Sequence, residues 1–362
     1  MKRLFSVLII LALLLFAVSC SEKDGAVLSV GKLKIDKGMY TYLTATYKAS
    51  FLETYNKGFD TQDFWKTEVE TENGTVTYQS YIEDYILDNI SRTLVSAKLF
   101  DDKGLTLSDK ANEEIDNEIG DLLKTQSEQE LNEALSQYSI DRDTLRKIKV
   151  LQTKSEAYYS YMYENEGEKA PDVSDLNDYL KENYRAIGFV TIYTKKAPVL
   201  DKNGDYTYDE NGDIAMKELS EKEVDVKKAI EKNVISSLEN GATYDEVKEF
   251  SDEDYSSFEK GMLICKSDVN SYGKDIVTCA MKLSEGEYAR AEKDGTVYIM
   301  VCLKTPLYTE LSSNYTLTDI YSNCTTDKYF SDIDKIVESD VTLNEKLLKE
   351  IDIVSIKQNK NY

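Results

Sequence analysis

Histidine is absent from all 362 residues. Every mechanism that needs an imidazole is therefore excluded, including Ser-His-Asp and Cys-His catalysis and histidine-ligated metal sites. The available chemistry belongs to carboxylates, hydroxyls, phenols and thiols. Two Asp-x-Asn-Gly-Asp units, Asp201–Asp205 and Asp209–Asp213, alternate oxygen ligands as calcium loops do. Neither supplies the spaced glutamate of an EF-hand loop, and Asn-Gly pairs of this kind make tight turns. No cofactor and no metal is expected from these patterns.

Five cysteines remain to be placed. Lys2 and Arg3 precede a run from Leu4 to Val18 that is apolar except for Ser6, and the run ends in Ala17-Val18-Ser19-Cys20. A basic start, a short apolar core and a small-residue cleavage site describe an export signal over residues 1–19. The core, about 15 residues, falls short of the ~20 that span a bilayer as a helix. Its last four residues resemble the bacterial lipobox, with Ala17 where leucine is usual. Cys20 is then expected to carry a diacylglycerol thioether and an N-acyl chain, which together suffice for stable anchoring. An ordinary secretory signal that contains a cysteine is the alternative. Residues 20–26 read as a polar tether. No second apolar stretch approaches spanning length, so the rest is expected to be soluble at the extracytoplasmic face of the cell membrane. Cys265, Cys279, Cys302 and Cys324 are left. In an exported protein they can close two disulfides; in an anaerobe they can equally be small buried hydrophobes, and their irregular spacing does not favour zinc.

Lys and Arg number 44 against 67 Asp and Glu, a formal charge of -23. Loss of Lys2 and Arg3 with the signal takes the mature chain to -25. So acidic a surface argues against nucleic acid and against electrostatic docking on anionic lipid. The length that remains suggests two domains of ordinary size.

The elements follow from the patterning. Residues 27–36 read as two short strands about Gly31, followed by a Tyr-rich helix from about Gly38 to Tyr55 and a polar, aromatic segment to Gln79 with a loop near Asn73-Gly74. From Tyr81, Ile82, Ile86, Ile90, Leu94 and Ala97 make one apolar helix stripe. Gly104 stops that helix and Ser108 caps the next, which runs to about Lys124. Helices over Glu128–Tyr138, from Asp141 or Asp143 to Tyr163, and over Asp175–Asn183 complete a region that is almost wholly helical. At Ile187 the composition turns β-branched and aromatic, predicting a strand over 188–194. A polar insert over about 195–218, a helix over 221–239, a short helix over 244–250, a strand near 262–265, a helix through 276–283 and strands over 287–291 and 297–303 follow. Residues 315–350 return to helical patterning, with Ile320, Ile333, Ile336, Val337, Leu347 and Leu348 as core candidates.

This order of parts resembles the exported foldases of the SurA/PrsA type, a helical chaperone domain followed by a parvulin-type peptidyl-prolyl isomerase domain. Val27–Asp36 is similar to the family's opening strands, and Ala97-Lys98, Gly104-Leu105 and Ser108-Asp109 fit its first helix junction. Asp172–Asp175, Tyr179 and Asn183-Tyr184 fit the segment that leads into the isomerase domain. Further on, Leu238, Gly241–Tyr244 and Phe250–Asp252, then Lys260–Leu263, then Met281–Glu287 resemble successive parvulin segments. The resemblance implies an α+β chain: a chaperone-like domain over 27–183, a parvulin-like domain over 184–308 with its insert, and C-terminal helices over 309–362 that pack back on the helical domain.

It also implies a proline pocket. The family's two histidines fall here at Thr191 and within Val297–Met300, with Tyr298 the candidate partner for a substitute hydrogen bond to Thr191. Glu253 takes the acidic position, and Leu263, Tyr272 and Ile276 the apolar ones. The implied partners are unfolded or nascent exported polypeptides. The implied function is a membrane-anchored foldase or holdase with impaired isomerisation. A scaffold lipoprotein with one specific partner and an active isomerase are the alternatives. The cluster Tyr158, Tyr159, Tyr161, Met162 and Tyr163 reads either as client-binding surface or, more simply, as helix packing.

Overall fold

The computed structural model describes residues 25–71, 74–164, 166–311 and 314–359; the expected export signal over 1–19 and the expected lipidation at Cys20 lie outside them. Packing divides the chain into two units, one up to Ala170 together with Thr325 onward, and one over Pro171–Cys324. The sequence reading divides instead at 183/184 and 308/309.

In the first unit, strands β1 (Ala26–Val30) and β2 (Leu33–Asp36) pair antiparallel about a turn at Gly31, whose φ is 56°. Asp36 ends β2 and caps helix α1 (Lys37–Asn56), accepting from the Met39 amide at 2.9 Å. The segment read as polar and aromatic up to Gln79 is more regular than expected. It forms a short helix α2 (Gln62–Lys66) and a hairpin of β3 (Glu68–Thr71) and β4 (Gly74–Thr77). Helix α3 (Tyr78–Asp102) buries the whole predicted stripe, Ile82, Ile86, Ile90, Leu94 and Ala97.

Helices α4 (Asp109–Thr125), α5 (Glu128–Ser136) and α6 (Arg142–Tyr163) complete this region. Ser108 caps α4 as expected. Asp141 caps α6, accepting from the Thr144 amide at 2.8 Å, which decides between Asp141 and Asp143. Tyr158, Met162 and Tyr163 are buried in the core, so the tyrosine cluster is mainly packing and only Tyr161 stands clear.

The second unit opens on helix α7 (Val173–Asn183), capped by Asp172 and so starting two residues before the predicted Asp175. Leu176 and Leu180 of α7 pack with Tyr184 and Ile320, which places this helix with the sheet that follows it. Strand β5 (Tyr184–Tyr193) begins directly where α7 ends. The insert forms a small ladder of β6 (Lys196–Pro198) and β7 (Met216–Glu218). Its two Asp-x-Asn-Gly-Asp units are turns in which Asp201 and Asp209 each accept two backbone amides at 2.7–3.1 Å.

Helices α8 (Glu221–Glu239) and α9 (Tyr244–Val247) come next, then β8 (Met262–Cys265), helices α10 (Val269–Tyr272) and α11 (Lys274–Met281), and strands β9 (Tyr288–Lys293) and β10 (Thr296–Leu303). The sheet is antiparallel in the order β8-β5-β10-β9.

Period two along the central strand sorts its side chains between faces. Ile187 and Phe189 point to the side covered by Ile276, Val277 and Ala280 of α11; Val190 and Ile192 point to Val234 and Leu238 of α8. Gly188 sits under the Tyr244 ring, and a Cβ there would lie 2.7 Å from three ring atoms. Gly188→Ala is expected to destabilise the second unit by about 1–3 kcal/mol through overpacking. Urea unfolding read from this unit checks it, and an unchanged midpoint would refute it.

None of the four described cysteines is in a disulfide, so the disulfide alternative is not realised. Cys302 and Cys324 are buried, and burial pushes the Cys302 thiol up.

The C-terminal region differs from its helical patterning. Helix α12 (Asn314–Asp340) is continuous, but the division between units falls within it. Ile320 joins the second unit's core, whereas Ile333 joins the first. After Asp340 the chain makes a strand, β11 (Thr342–Leu343), which pairs with β1 through Leu28 and Ser29. The β-branched pair Val341-Thr342 favours extension there over another helical turn. Helix α13 (Glu345–Leu348) then leads into a tail laid along α1. Lys48, wholly buried, donates to the Ile353, Val354 and Ile356 carbonyls at 2.9, 3.1 and 2.6 Å and pairs with Asp60 at 2.7 Å. The Asn359 amide donates to the Ala45 carbonyl at 3.0 Å.

Candidate functional site

The second unit collects most of the predicted pocket around one residue that the sequence reading passed over. Phe189, two positions before Thr191 and on the same face, is buried in the sheet. Tyr272 stacks on it with centroids 6.0 Å apart and planes 14° apart. Tyr298 meets it edge-on at 6.3 Å and 82°, and Tyr255 lies tilted at 5.8 Å. Ile276 closes the same core from α11. Leu263 does not belong here. Its neighbours Met262 and Ile264 face this core, so strand alternation turns Leu263 to the other side, against the cluster of Leu176, Leu180 and Tyr184.

Thr191 and Tyr298 stand directly opposite in the register of β5 and β10. Their hydroxyls nonetheless do not make the expected bond. The Thr191 Oγ1 bonds the Tyr255 Oη at 2.7 Å, Tyr255 donates to Glu253 Oε2 at 2.6 Å, and Tyr193 donates to Glu253 Oε1 at 2.6 Å. A phenol has one hydrogen. Since that of Tyr255 goes to Glu253, Thr191 must be the donor in the first bond. All three hydroxyl hydrogens are thus committed within the chain Thr191, Tyr255, Glu253, Tyr193.

The loop that carries Glu253 is tied to β5 by its backbone. The Thr191 carbonyl accepts from the Asp252 amide at 2.7 Å, the Thr191 amide donates to Ser251 Oγ at 3.0 Å, and the Tyr193 amide donates to Asp252 Oδ2 at 2.8 Å. Lys227 of α8 pairs with Asp252. Tyr193, Ser251, Asp252 and Tyr255 were missed as site residues. The available signal was period two: Tyr193 follows Thr191 on one face, and Tyr255 follows Glu253 on an extended loop.

Burial, then the hydrogen bond to Glu253 and its charge, push both the Tyr193 and Tyr255 phenols well above the ordinary range. Both stay protonated at neutral pH, and each gives its one hydrogen to Glu253. The sign of the resulting pH dependence follows. Unfolded tyrosine ionises near pH 10, while these two hold their protons longer when folded, so their contribution is present below pH ~10 and is lost above it. Tyr47 in the first unit, pushed up to about 12 mainly by burial, adds to the same trend. Unfolding free energy should therefore fall between pH ~9 and ~11, and Tyr193→Phe should lessen the fall. A denaturation midpoint that is constant over that range would contradict this.

This arrangement can orient donors and an apolar surface. Among these residues there is no paired nucleophile and general base. No group of three or more Asp, Glu or Cys suited to a metal occurs among the described residues.

No protein-family model matches the chain, and no curated protein does. Solved structures do. The crystal structure of PrsA from Bacillus subtilis matches at 15% identity, over 82% of this chain and 94% of that one, with a TM-score of 0.22. The chain is similar to PrsA foldases. The foldase protein PrsA from Streptococcus pneumoniae matches at 14% identity, over 78% and 98% of the two chains, with a TM-score of 0.22. The peptidylprolyl isomerase PrsA from Bacillus anthracis matches at 16%, over 73% and 96%, with a TM-score of 0.24. The described residues of the present chain combine helices with small antiparallel sheets, an α+β arrangement.

Proposed function

We propose that the chain is an extracytoplasmic foldase that holds unfolded exported polypeptides, anchored to the membrane through Cys20, with the second unit a peptide-binding module poor in prolyl isomerisation. The observation that carries this reading is an aromatic shelf at the end of α1. Phe51 packs against Tyr55, Phe64, Trp65, Tyr78 and Tyr81 with ring centroids 4.6–6.3 Å apart. Beside these packed rings, Tyr55 is 54% and Phe59 64% exposed. Exposed rings set on a stiff base offer apolar area at little entropic cost, which suits weak binding of many sequences.

The closed hydroxyl chain supports the weak-isomerase part. Isomerisation crosses a barrier of ~18–20 kcal/mol, and an enzyme lowers it by interactions stronger in the twisted amide than in the ground state. Thr191, Tyr255 and Tyr193 have no hydrogen left to offer such an amide. A denatured, unrelated client tests the proposal. The full chain at an equimolar ratio is expected to suppress its aggregation, and a Tyr55→Ser, Phe59→Ser double variant to lose most of that effect. Absence of suppression by the unaltered chain would overturn the foldase reading. In a protease-coupled proline-peptide assay no acceleration is expected beside a working parvulin control, and a comparable rate would overturn the second part.

A further inference from the structure

The first unit holds a cavity of about 420 Å³ between α1, α3 and the tail after α13. Its walls are both apolar and acidic. Ile86, Ile351 and Ile353 supply aliphatic surface, and Glu83, Asp84 and Asp352 supply carboxylates. The lining cation, Lys349, is exposed and pairs with Glu345 at 3.4 Å. Asp352 spends one oxygen on the Val354 amide at 3.0 Å, and Glu83 accepts from the Gln79 amide group at 3.0 Å. Neither carboxylate has a cationic partner among the described residues. Burial, with the charges of Asp352 and Asp84, raises the Glu83 carboxyl against the hydrogen bond from Gln79. The Tyr40 phenol, also lining the cavity, is raised by burial and by the same two acids of α3.

A second observation comes from Thr44. Three other threonines of α1, Thr41, Thr46 and Thr54, satisfy their hydroxyls on the carbonyl four residues earlier. Thr44 does not. It is 2% exposed, it lines this cavity, and its Oγ1 has no hydrogen-bond partner among the described residues. Burying a hydroxyl without a partner is unfavourable, so Thr44 offers an open acceptor to a ligand in this acidic cavity.

We propose that this cavity binds an alkylammonium group, either the end of a lysine side chain of a bound polypeptide or that of a free diamine. The cation answers the gathered carboxylates, its stem lies on the isoleucines, and its N–H donors reach the Tyr40 and Thr44 oxygens. An anion would meet repulsion from three acids, and a neutral apolar ligand would leave Thr44 unpaired. Only the lysine source rests on the foldase reading; the alkylammonium chemistry stands without it.

Calorimetric titration of the full chain with 1,5-diaminopentane, with an acetyl-Gly-Lys-Gly amide peptide and with 1-pentanol tests the site. Saturable one-to-one binding of an amine is expected, with none of the alcohol. Tighter binding of the peptide assigns the lysine source, and tighter binding of the diamine the free amine. Glu83→Gln, at a partly exposed position, should weaken binding roughly tenfold. Thr44→Val should weaken binding while raising the melting temperature, because an apolar isostere removes the unpaired hydroxyl; a merely structural threonine would not separate the two. No saturable binding of either amine below about 10 mM, or equal affinity in Glu83→Gln, would overturn the proposal.

Discussion

Lys48→Met should be among the most damaging single substitutions in the first unit. The ammonium of Lys48 is shared by three tail carbonyls, those of Ile353, Val354 and Ile356, and by the Asp60 carboxylate. Asp60 in turn accepts from the Trp65 indole at 2.8 Å, and the ammonium lies 5.3 Å from the Trp65 ring. Methionine fills much of the same volume but supplies no donor. The cost is therefore the desolvated partners left behind, not the lost packing. Removing one member of a buried ion pair costs about 3–5 kcal/mol, and for a unit of this size that corresponds to a fall of roughly 6–20 °C in melting temperature. Asp60→Asn should cost less, since the carbonyls keep their cation and Asp60 is itself partly solvated. Thermal unfolding measures the loss, and hydrogen exchange locates it. Backbone amides over 351–359 and the facing turns of α1 should lose protection first. A melting temperature within 2 °C of the parent, with the tail still protected, would show that Lys48 does not hold it.

The origin of that effect also shows what the sequence conceals. Lys48 lies in a Tyr-rich stretch where no apolar stripe marks it as inward-facing, and its carbonyl partners are more than 300 residues away. Carbonyl acceptors have no side-chain signature, so nothing local announces the contact. Local chemistry was easier to read. The α3 stripe and the caps at Ser108 and Asp141 depend on neighbours within one turn, and each is present. The hairpin over 68–77 was not legible because its strands are four residues long and largely exposed, leaving little alternation to detect. Thr342-Leu343 is a strand only because β1 offers an edge to pair with. In the candidate site, resemblance placed Thr191, Tyr272, Ile276 and Tyr298 about one core. It misplaced Leu263, where parity along a four-residue strand decides the face. It also missed Tyr255, because the loop carrying it docks on main-chain groups of β5, which have no side-chain signature.

In the second unit, Glu253→Ala should cost about 2 kcal/mol. Two phenols, Tyr193 and Tyr255, donate to this one carboxylate, and each would lose its acceptor. A buried donor left unpaired costs about 1–3 kcal/mol; partial access of water to this loop brings the pair to the lower part of the combined range. The loss belongs to the network, so the variants should not be additive. Tyr193→Phe with Tyr255→Phe removes both donors, and in that background Glu253→Ala should cost little more, a coupling of about 0.5–3 kcal/mol. Thr191→Val offers a second check, since Tyr255 keeps its donation to Glu253 and loses only an incoming bond. That variant should cost less than Glu253→Ala. Urea unfolding of the four combinations supplies the cycle. A coupling near zero would mean that the three short contacts form without mutual support. A clear coupling would make the hydroxyl chain a structural clamp that holds the 251–255 loop on β5. Thr191 and Glu253 would then be occupied in fixing that loop, with their polar groups spent on the protein itself.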